Sequence, residues 1–436
     1  GLARGLRRIQ DVLDHRTFDW RAPSEPSDPG LTQAMARSSA AAAEREVLLA
    51  RIRRLPGLER FLLSPDATEL RTAAERGPVV VVNVSRLRCD ALVVTTGGVR
   101  CVPLPGLTRD RLRAAARTHL RLVTGLRRPG TARTRTAAGE ALRETLAWLW
   151  SAVAEPVLTG LGLDHREDDA WPRLWWCPTG SLALLPLHAA QRYDPARLRD
   201  TGVADRVISS YTPTLRSLIA SRQPPAAPGD SGEAARRSLL TVCVPRLPGR
   251  PRLRHAAREV RAVRAAQPPG GENGSLVMAG RGATLARVTA ELHRYRGLLF
   301  VGHSVQSPSD PGRTALYTQD GPLTMREIAA LRLRTADLAY LSSCESALGD
   351  LTLPDEALSL AGALQIAGFR QVVASLWSVL DAGAPEITGG FFGRLAVPGA
   401  AAAGAEDPAT ALHAVLRSAR LTNSPLVWAG YCHTGC

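Results

Sequence analysis

The apolar positions of this chain change rhythm along its length. Up to residue 77 they recur at helical spacing, over Leu2 to Leu13 and Gln33 to Leu55, with a breaker-rich stretch from Asp19 to Gly30 between them. Val79 to Val84 (VVVVNV) is then a β-branched run, and Ala91 to Thr95 follows after a turn, so a hairpin opens a sheet. The spacing predicts helix over about 108–155 and strands at Leu174 to Cys177 and Val207 to Tyr211. Arg222 to Gly232, rich in proline, alanine and glycine, reads as a linker. Beyond it the alternation is regular: strand Leu239 to Val244, helices His255 to Ala266 and Leu285 to Arg294, strand Leu298 to Val301, helix Thr324 to Leu331, strand Leu338 to Leu341, helix Asp355 to Ala367, strand Val372 to Leu376. Leu426 to Cys432 reads as a last strand. Such alternation predicts an α/β fold, with βαβ units around a mostly parallel sheet flanked by helices.

Two of these apolar runs end on reactive side chains. Leu298-Leu299-Phe300-Val301-Gly302 leads into His303, and Leu338-Ala339-Tyr340-Leu341-Ser342-Ser343 leads into Cys344. Ligands and chemistry collect at the carboxyl ends of parallel strands, so two such strands would set His303 and Cys344 side by side. A histidine about forty residues before a cysteine matches caspase-like peptidases. Taken singly, each residue has a plainer reading: cysteine at a strand end is more often packing, and histidine more often a surface or capping residue.

Composition narrows the classes. A chain of 436 residues exceeds one ordinary core, and 45% hydrophobic residues is ordinary for a globular protein. No apolar run approaches the roughly 18 to 20 residues that span a bilayer, and the opening residues carry no secretory-signal pattern. The net charge of +15 comes entirely from arginine, with no lysine, and the arginines are scattered; only 5% of residues are aromatic. That pattern follows base composition rather than a basic surface, and nucleic acid is not expected as a partner. Seven widely spaced cysteines without a CxxC pair indicate neither a disulfide framework nor a zinc site, and a reducing, cytosolic setting fits.

A cysteine peptidase needs a thiolate, a proton donor for the leaving amine and N–H groups aimed at the oxyanion. Cys344 would supply the first and His303 the second, with the amides of Cys344 and Ser304 as the oxyanion hole. Other groupings are weaker. Gly302 to Gln306 lacks the last glycine of a G-x-S-x-G elbow. Cys432, His433 and Cys436 make a poor metal site, and no metal or organic cofactor is expected.

Several linked motifs resemble the CHAT family of caspase-like peptidases, relatives of caspases and separases. They are Asp320-Gly321-Pro322-Leu323-Thr324, Leu341-Ser342-Ser343-Cys344-Glu345-Ser346, Asp355-Glu356-Ala357, and Ala367-Gly368-Phe369 through Val372-Val373 to Ser375-Leu376-Trp377. Trp428-Ala429-Gly430-Tyr431 looks like the family's last strand; upstream, Cys177-Pro178-Thr179-Gly180 and Leu185-Pro186-Leu187-His188 look like the region preceding the domain in actinobacterial and fungal members. The resemblance implies that His303 and Cys344 are the dyad. It implies a caspase-like peptidase domain over 235–436, a non-catalytic companion sheet domain over 78–222 that includes Cys177 and His188, and a linker over 223–234. Residues 1–77 resemble the end of a helical-repeat array such as a tetratricopeptide region, which would sense a partner and regulate the protease. The implied activity is cleavage of protein or peptide substrates, with no membrane partner.

One departure stands out. The family usually has glycine after the histidine; here it is Ser304, and if that position needed φ > 0 serine would distort the oxyanion hole. The alternative reading is therefore an inactive caspase-like adaptor that binds protein partners. For substrate choice the candidates are Asp381 first, as receiver of a basic side chain, then Glu345, with Ser375 and Trp377 lining the groove beside the sheet edge; packing in the core is an equal reading of Trp377.

Overall fold

The computed structural model describes residues 4–6, 8–9, 29–126, 131–163, 171–193, 201–223, 238–266, 274–307, 310–344, 346–348, 359–378, 381–395 and 406–436. Among the expected features, most of the Leu2–Leu13 helix, the Asp19–Gly30 loop, the linker and Asp355–Glu356–Ala357 lie outside these residues. The chain forms two compact units, 1–66 and 67–436. In the first, helix α1 (Pro29–Ile52) buries Leu49 and Ile52, and Arg53 Nε donates to the Phe61 carbonyl at 2.9 Å.

The second unit begins with the short helix α2 (Ala67–Arg71) and strands β1 (Val79–Asn83), β2 (Asp90–Thr95) and β3 (Gly98–Pro103). The expected hairpin is present, with β1 antiparallel to β2, and β3 extends it. The expected single helical region is α3 (Arg109–Gly125) and α4 (Ala132–Leu149), which runs through a π-turn at Trp150–Ala154 into α5 (Glu155–Leu161). Thr108 and Thr131 start α3 and α4, each side chain accepting an amide of the first turn. Then come β4 (Arg173–Pro178), β5 (Ile208–Tyr211) and α6 (Leu215–Ser221).

The regular part follows as β6 (Leu239–Val244), α7 (Ala256–Ala266), β7 (Leu276–Ala279), α8 (Leu285–Leu292) and β8 (Gly297–Gly302). A small three-stranded sheet is built from β9 (Ser304–Val305), β10 (Ala315–Tyr317) and β11 (Pro322–Thr324). Helix α9 (Met325–Ala330), β12 (Leu338–Ser342), α10 (Leu360–Ala367), β13 (Gln371–Ser375), α11 (Ala384–Arg394), α12 (Pro408–Ala419), α13 (Pro425–Trp428) and β14 (Tyr431–Gly435) complete it.

All the strands except β9 to β11 lie in one sheet, in the order β3-β2-β1-β4-β5-β14-β13-β12-β8-β6-β7. The two sheet regions expected as a companion domain and a peptidase domain are thus two wings of a single sheet. Strand β14 joins them, parallel to β5 and antiparallel to β13. His433 fastens this seam: Nδ1 is 2.9 Å from Ser210 Oγ on β5 and Nε2 is 3.1 Å from Gln371 Oε1 on β13. The last strand also starts later than expected. Pro425 and the Ser424 cap turn Leu426–Trp428 into a helical turn, and extended chain resumes after Gly430, where a Cβ would lie 2.9 Å from the Trp377 ring.

The second wing is layered as a parallel sheet demands, with both faces covered. Leu299, Val301, Tyr340 and Val373 point to one face and pack against α7, α11 and α12 through Val263, Ile387, Phe391 and Leu412. Leu298, Phe300, Leu341 and Val372 point to the other and meet α8, α9 and α10 through Val288, Leu292, Ile328 and Leu364. No helix among the described residues is long and apolar enough to cross a membrane.

Candidate active site

Three neighbouring parallel strands end together and supply the site. In register, Val244 of β6 faces Gly302 of β8, and Val301 of β8 faces Ser342 of β12. Pro245 therefore follows β6, His303 follows β8, and Cys344 lies two residues beyond Ser342, level with His303 on strands whose ordinary spacing is about 4.8 Å. Gly302 makes the approach feasible, because a Cβ there would lie 2.9 Å from the Phe300 ring and 3.3 Å from the Val244 carbonyl.

His303 is 6% exposed, and its backbone carbonyl accepts from the Tyr317 amide at 3.0 Å. Its ring donates to the Pro245 carbonyl, while Nε2 has no partner among the described residues. The proton thus sits on Nδ1 and Nε2 presents a lone pair. Burial, then the nearby Arg250 cation, pull the imidazole below its ordinary range, against smaller opposing effects of the Pro245 hydrogen bond and the Asp381 carboxylate.

Cys344 is half-buried and in no disulfide. The turn that carries it is stitched to the end of β13. Ser375 Oγ donates to the Ser343 carbonyl at 2.6 Å, Ser346 Oγ accepts from the Ser375 amide at 3.1 Å, and the Ala347 amide donates to the Ser375 carbonyl at 2.8 Å. Across the gap, Ser304 Oγ donates to the Cys344 carbonyl. Among the described residues the only non-glycine φ in the positive region belongs to Leu62, so Ser304 has no backbone strain of the kind that would call for glycine.

Beneath Cys344 lies a cavity of about 30 Å³ walled in part by Gly302, Ser343, Ser375, Tyr431, Glu259 and Asp381. Of the expected substrate residues, Asp381 and Ser375 thus border it. Asp381 also accepts the Arg254 and His255 amides at 2.8 and 3.1 Å, capping α7 from a distant part of the chain. Trp377 is elsewhere: fully buried, it donates Nε1 to the Leu426 carbonyl at 3.1 Å and meets His119 edge-on. Its packing role explains the tryptophan. Glu345 lies outside the described residues. Two participants went unread in the sequence, the Pro245 carbonyl and Glu259. The first could have been sought at the residue after the β6 run; the second has no signal, being one glutamate on a basic amphipathic helix.

Cys177 and His188 have structural work. Cys177 lies in β4 with Sγ 3.5 Å from the Pro213 carbonyl, its thiol pushed up to about 12 by burial. His188 pairs with Tyr211 Oη at 2.9 Å. Among the described residues no group of three or more His, Cys, Asp or Glu is placed to hold a metal.

Comparison with known proteins gives one family and one fold. A family model described as the CHAT domain matches residues 143–436. No curated protein matches. Two structures of the Saccharomyces cerevisiae separase–securin complex superpose with TM-scores of 0.57 and 0.54, each at 9% identity, over 100% and 94% of this chain. The chain spans only 37% and 34% of those chains. The cysteine proteinase gingipain R aligns at 10% identity and a TM-score of 0.41, over 65% of this chain and 67% of its own.

Proposed function

The chain belongs to the CHAT domain family, and from that premise we propose that it is a cysteine endopeptidase working through His303 and Cys344. The observation that carries the reading is the unpartnered lone pair of His303 Nε2, level with Cys344 on the adjacent strand. Nε2 takes the thiol proton as Cys344 Sγ attacks the scissile carbonyl, and the ring becomes an imidazolium. The Pro245 carbonyl holds Nδ1–H throughout, fixing the ring as the carboxylate does in a triad. The oxyanion is received by the amides of Cys344 and Ser304. His303 then protonates the leaving amine, and as a neutral base it draws a proton from the water that frees the acyl group.

Residues 1–66 form a unit of their own, which supports a regulatory arm that answers to a protein partner. All seven cysteines are thiols, which supports a reducing compartment. The second reading, an inactive adaptor, is favoured by one observation: the Ser304 hydroxyl occupies the Cys344 carbonyl, placing a side chain where the family usually has none.

The test is intact-mass analysis after treatment with peptidyl acyloxymethyl ketones, wild type against Cys344→Ala. One adduct that is lost in the variant supports the peptidase. Absence of an adduct in the wild type, with candidate activators included, favours the adaptor.

A further inference from the structure

Glu259 is a buried carboxylate that the catalytic steps above do not use. It lies on α7, is 2% exposed, and borders the cavity under Cys344. Thr388 Oγ1 of α11 donates to its Oε1 at 2.6 Å and is itself 3.1 Å from Tyr340 Oη, and the Ser342 hydroxyl also bonds to the carboxyl. Two donors leave lone pairs of the carboxylate unclaimed, since an ionised carboxylate accepts at about four positions. Among the described residues no arginine forms an ion pair with it, in a chain whose basic residues number 55. A buried anion without a cation is costly, and the fold bears that cost on the wall of a cavity that the proposed nucleophile also lines. Burial drives the carboxyl up to about 7, so the empty site holds it only partly ionised, and an arriving cation would restore the charge.

We propose that Glu259 selects the substrate residue on the amino side of the scissile bond, P1, and that the slot beneath Cys344 takes arginine there. This rests on the peptidase reading. A fork of N–H donors suits a carboxylate whose other positions are already held, on the wall of a cavity that Cys344 also lines. Asp381 has a different task. Its Oδ2 is spent on the two amides that start α7, so it positions the helix that carries Glu259.

The experiment compares kcat/KM for fluorogenic peptides that differ only at P1, arginine against its neutral isostere citrulline and against leucine, in wild type, Glu259→Gln and Asp381→Asn. Wild type should favour arginine over citrulline by roughly 100-fold, as expected when a charge pair forms out of water, and Glu259→Gln should erase that ratio while leucine turnover stays within a few-fold. Asp381→Asn should lower all three substrates together. An arginine preference that survives Glu259→Gln overturns the assignment while leaving the peptidase intact. A second readout needs no turnover: agmatine, an alkyl guanidinium, should slow alkylation of Cys344 by iodoacetamide in wild type and not in Glu259→Gln. Protection without turnover would sink the peptidase reading and keep the slot; no protection together with no arginine preference removes the slot.

Discussion

The Ser304 hydroxyl donates to the carbonyl of Cys344, so the residue after the proposed general base holds the backbone of the proposed nucleophile. The two halves of the proposed dyad follow separate strands, and this bond ties the segments that leave them.

Ser304→Ala should therefore affect catalysis more than folding. Loss of one hydrogen bond costs about 1 kcal/mol, and a loosened Cys344 should lower kcat/KM about tenfold. Because the Ser304 backbone is not in the positive-φ region, Ser304→Gly should give no gain over Ser304→Ala. A rise in activity well above wild type in the glycine variant would mean that serine obstructs the site. Thermal melts beside steady-state kinetics read both effects.

Arg250 pulls the His303 imidazole down from a distance. Arg250→Gln removes that cation, so the imidazole rises and the acidic limb of the pH–rate profile should move to higher pH. A limb that stays in place would show that burial alone sets it.

Three buried histidines tie stability to acidity. Burial holds His119 and His188 down to about 4 and His433 to about 3. A histidine with a depressed pKa adds stability that is complete above the unfolded value of about 6.5 and lost as pH falls toward the folded value. Glu259 has the opposite sign: raised to about 7, its contribution is complete below the unfolded value and lost as pH rises through 7. Denaturant midpoints should therefore peak near neutral pH and fall on the acid side below about 6.5. His433→Gln should flatten part of that acid fall, since the seam histidine no longer has to take a proton.

Trp377→Ala should cost about 3–5 kcal/mol, as for other large core deletions, with no selective change in substrate choice. Gly430→Ala probes the same contact from the other side, since its methyl would meet the Trp377 ring at 2.9 Å. A Trp377 variant that folds as well as wild type and changes only P1 preference would return this residue to the substrate groove.

The strands that lead to His303 and Cys344 were legible because a doubly covered parallel strand reads as a near-continuous apolar run, and β6, β8 and β12 are such runs. What hid the rest was context. Helix α11 contains Gly389, Gly390 and Gly393, which read as breakers; in the fold they let α7 and α12 approach, with Ala262 Cβ at 3.0 Å and Val415 Cγ2 at 3.2 Å from the space a side chain would fill. Strand β7 (Leu276–Ala279) is an apolar run of only four residues, mostly open, too short to stand out from its surroundings. Glu259 resembles any surface glutamate until Thr388, 129 positions later, closes over it. The union of the two wings rests on β14, whose Tyr-Cys-His-Thr-Gly sequence does not disclose which strands it lies between.

That joining strand comes after every other strand of the large sheet in chain order. Without β14, β5 and β13 have no strand between them to pair with, and Tyr431, a wall of the slot beneath Cys344, belongs to the strand that fills that lane. The proposed cleavage pocket is thus complete only once that strand is in place. A chain that already holds both His303 and Cys344 but not yet β14 still lacks one wall of the proposed site.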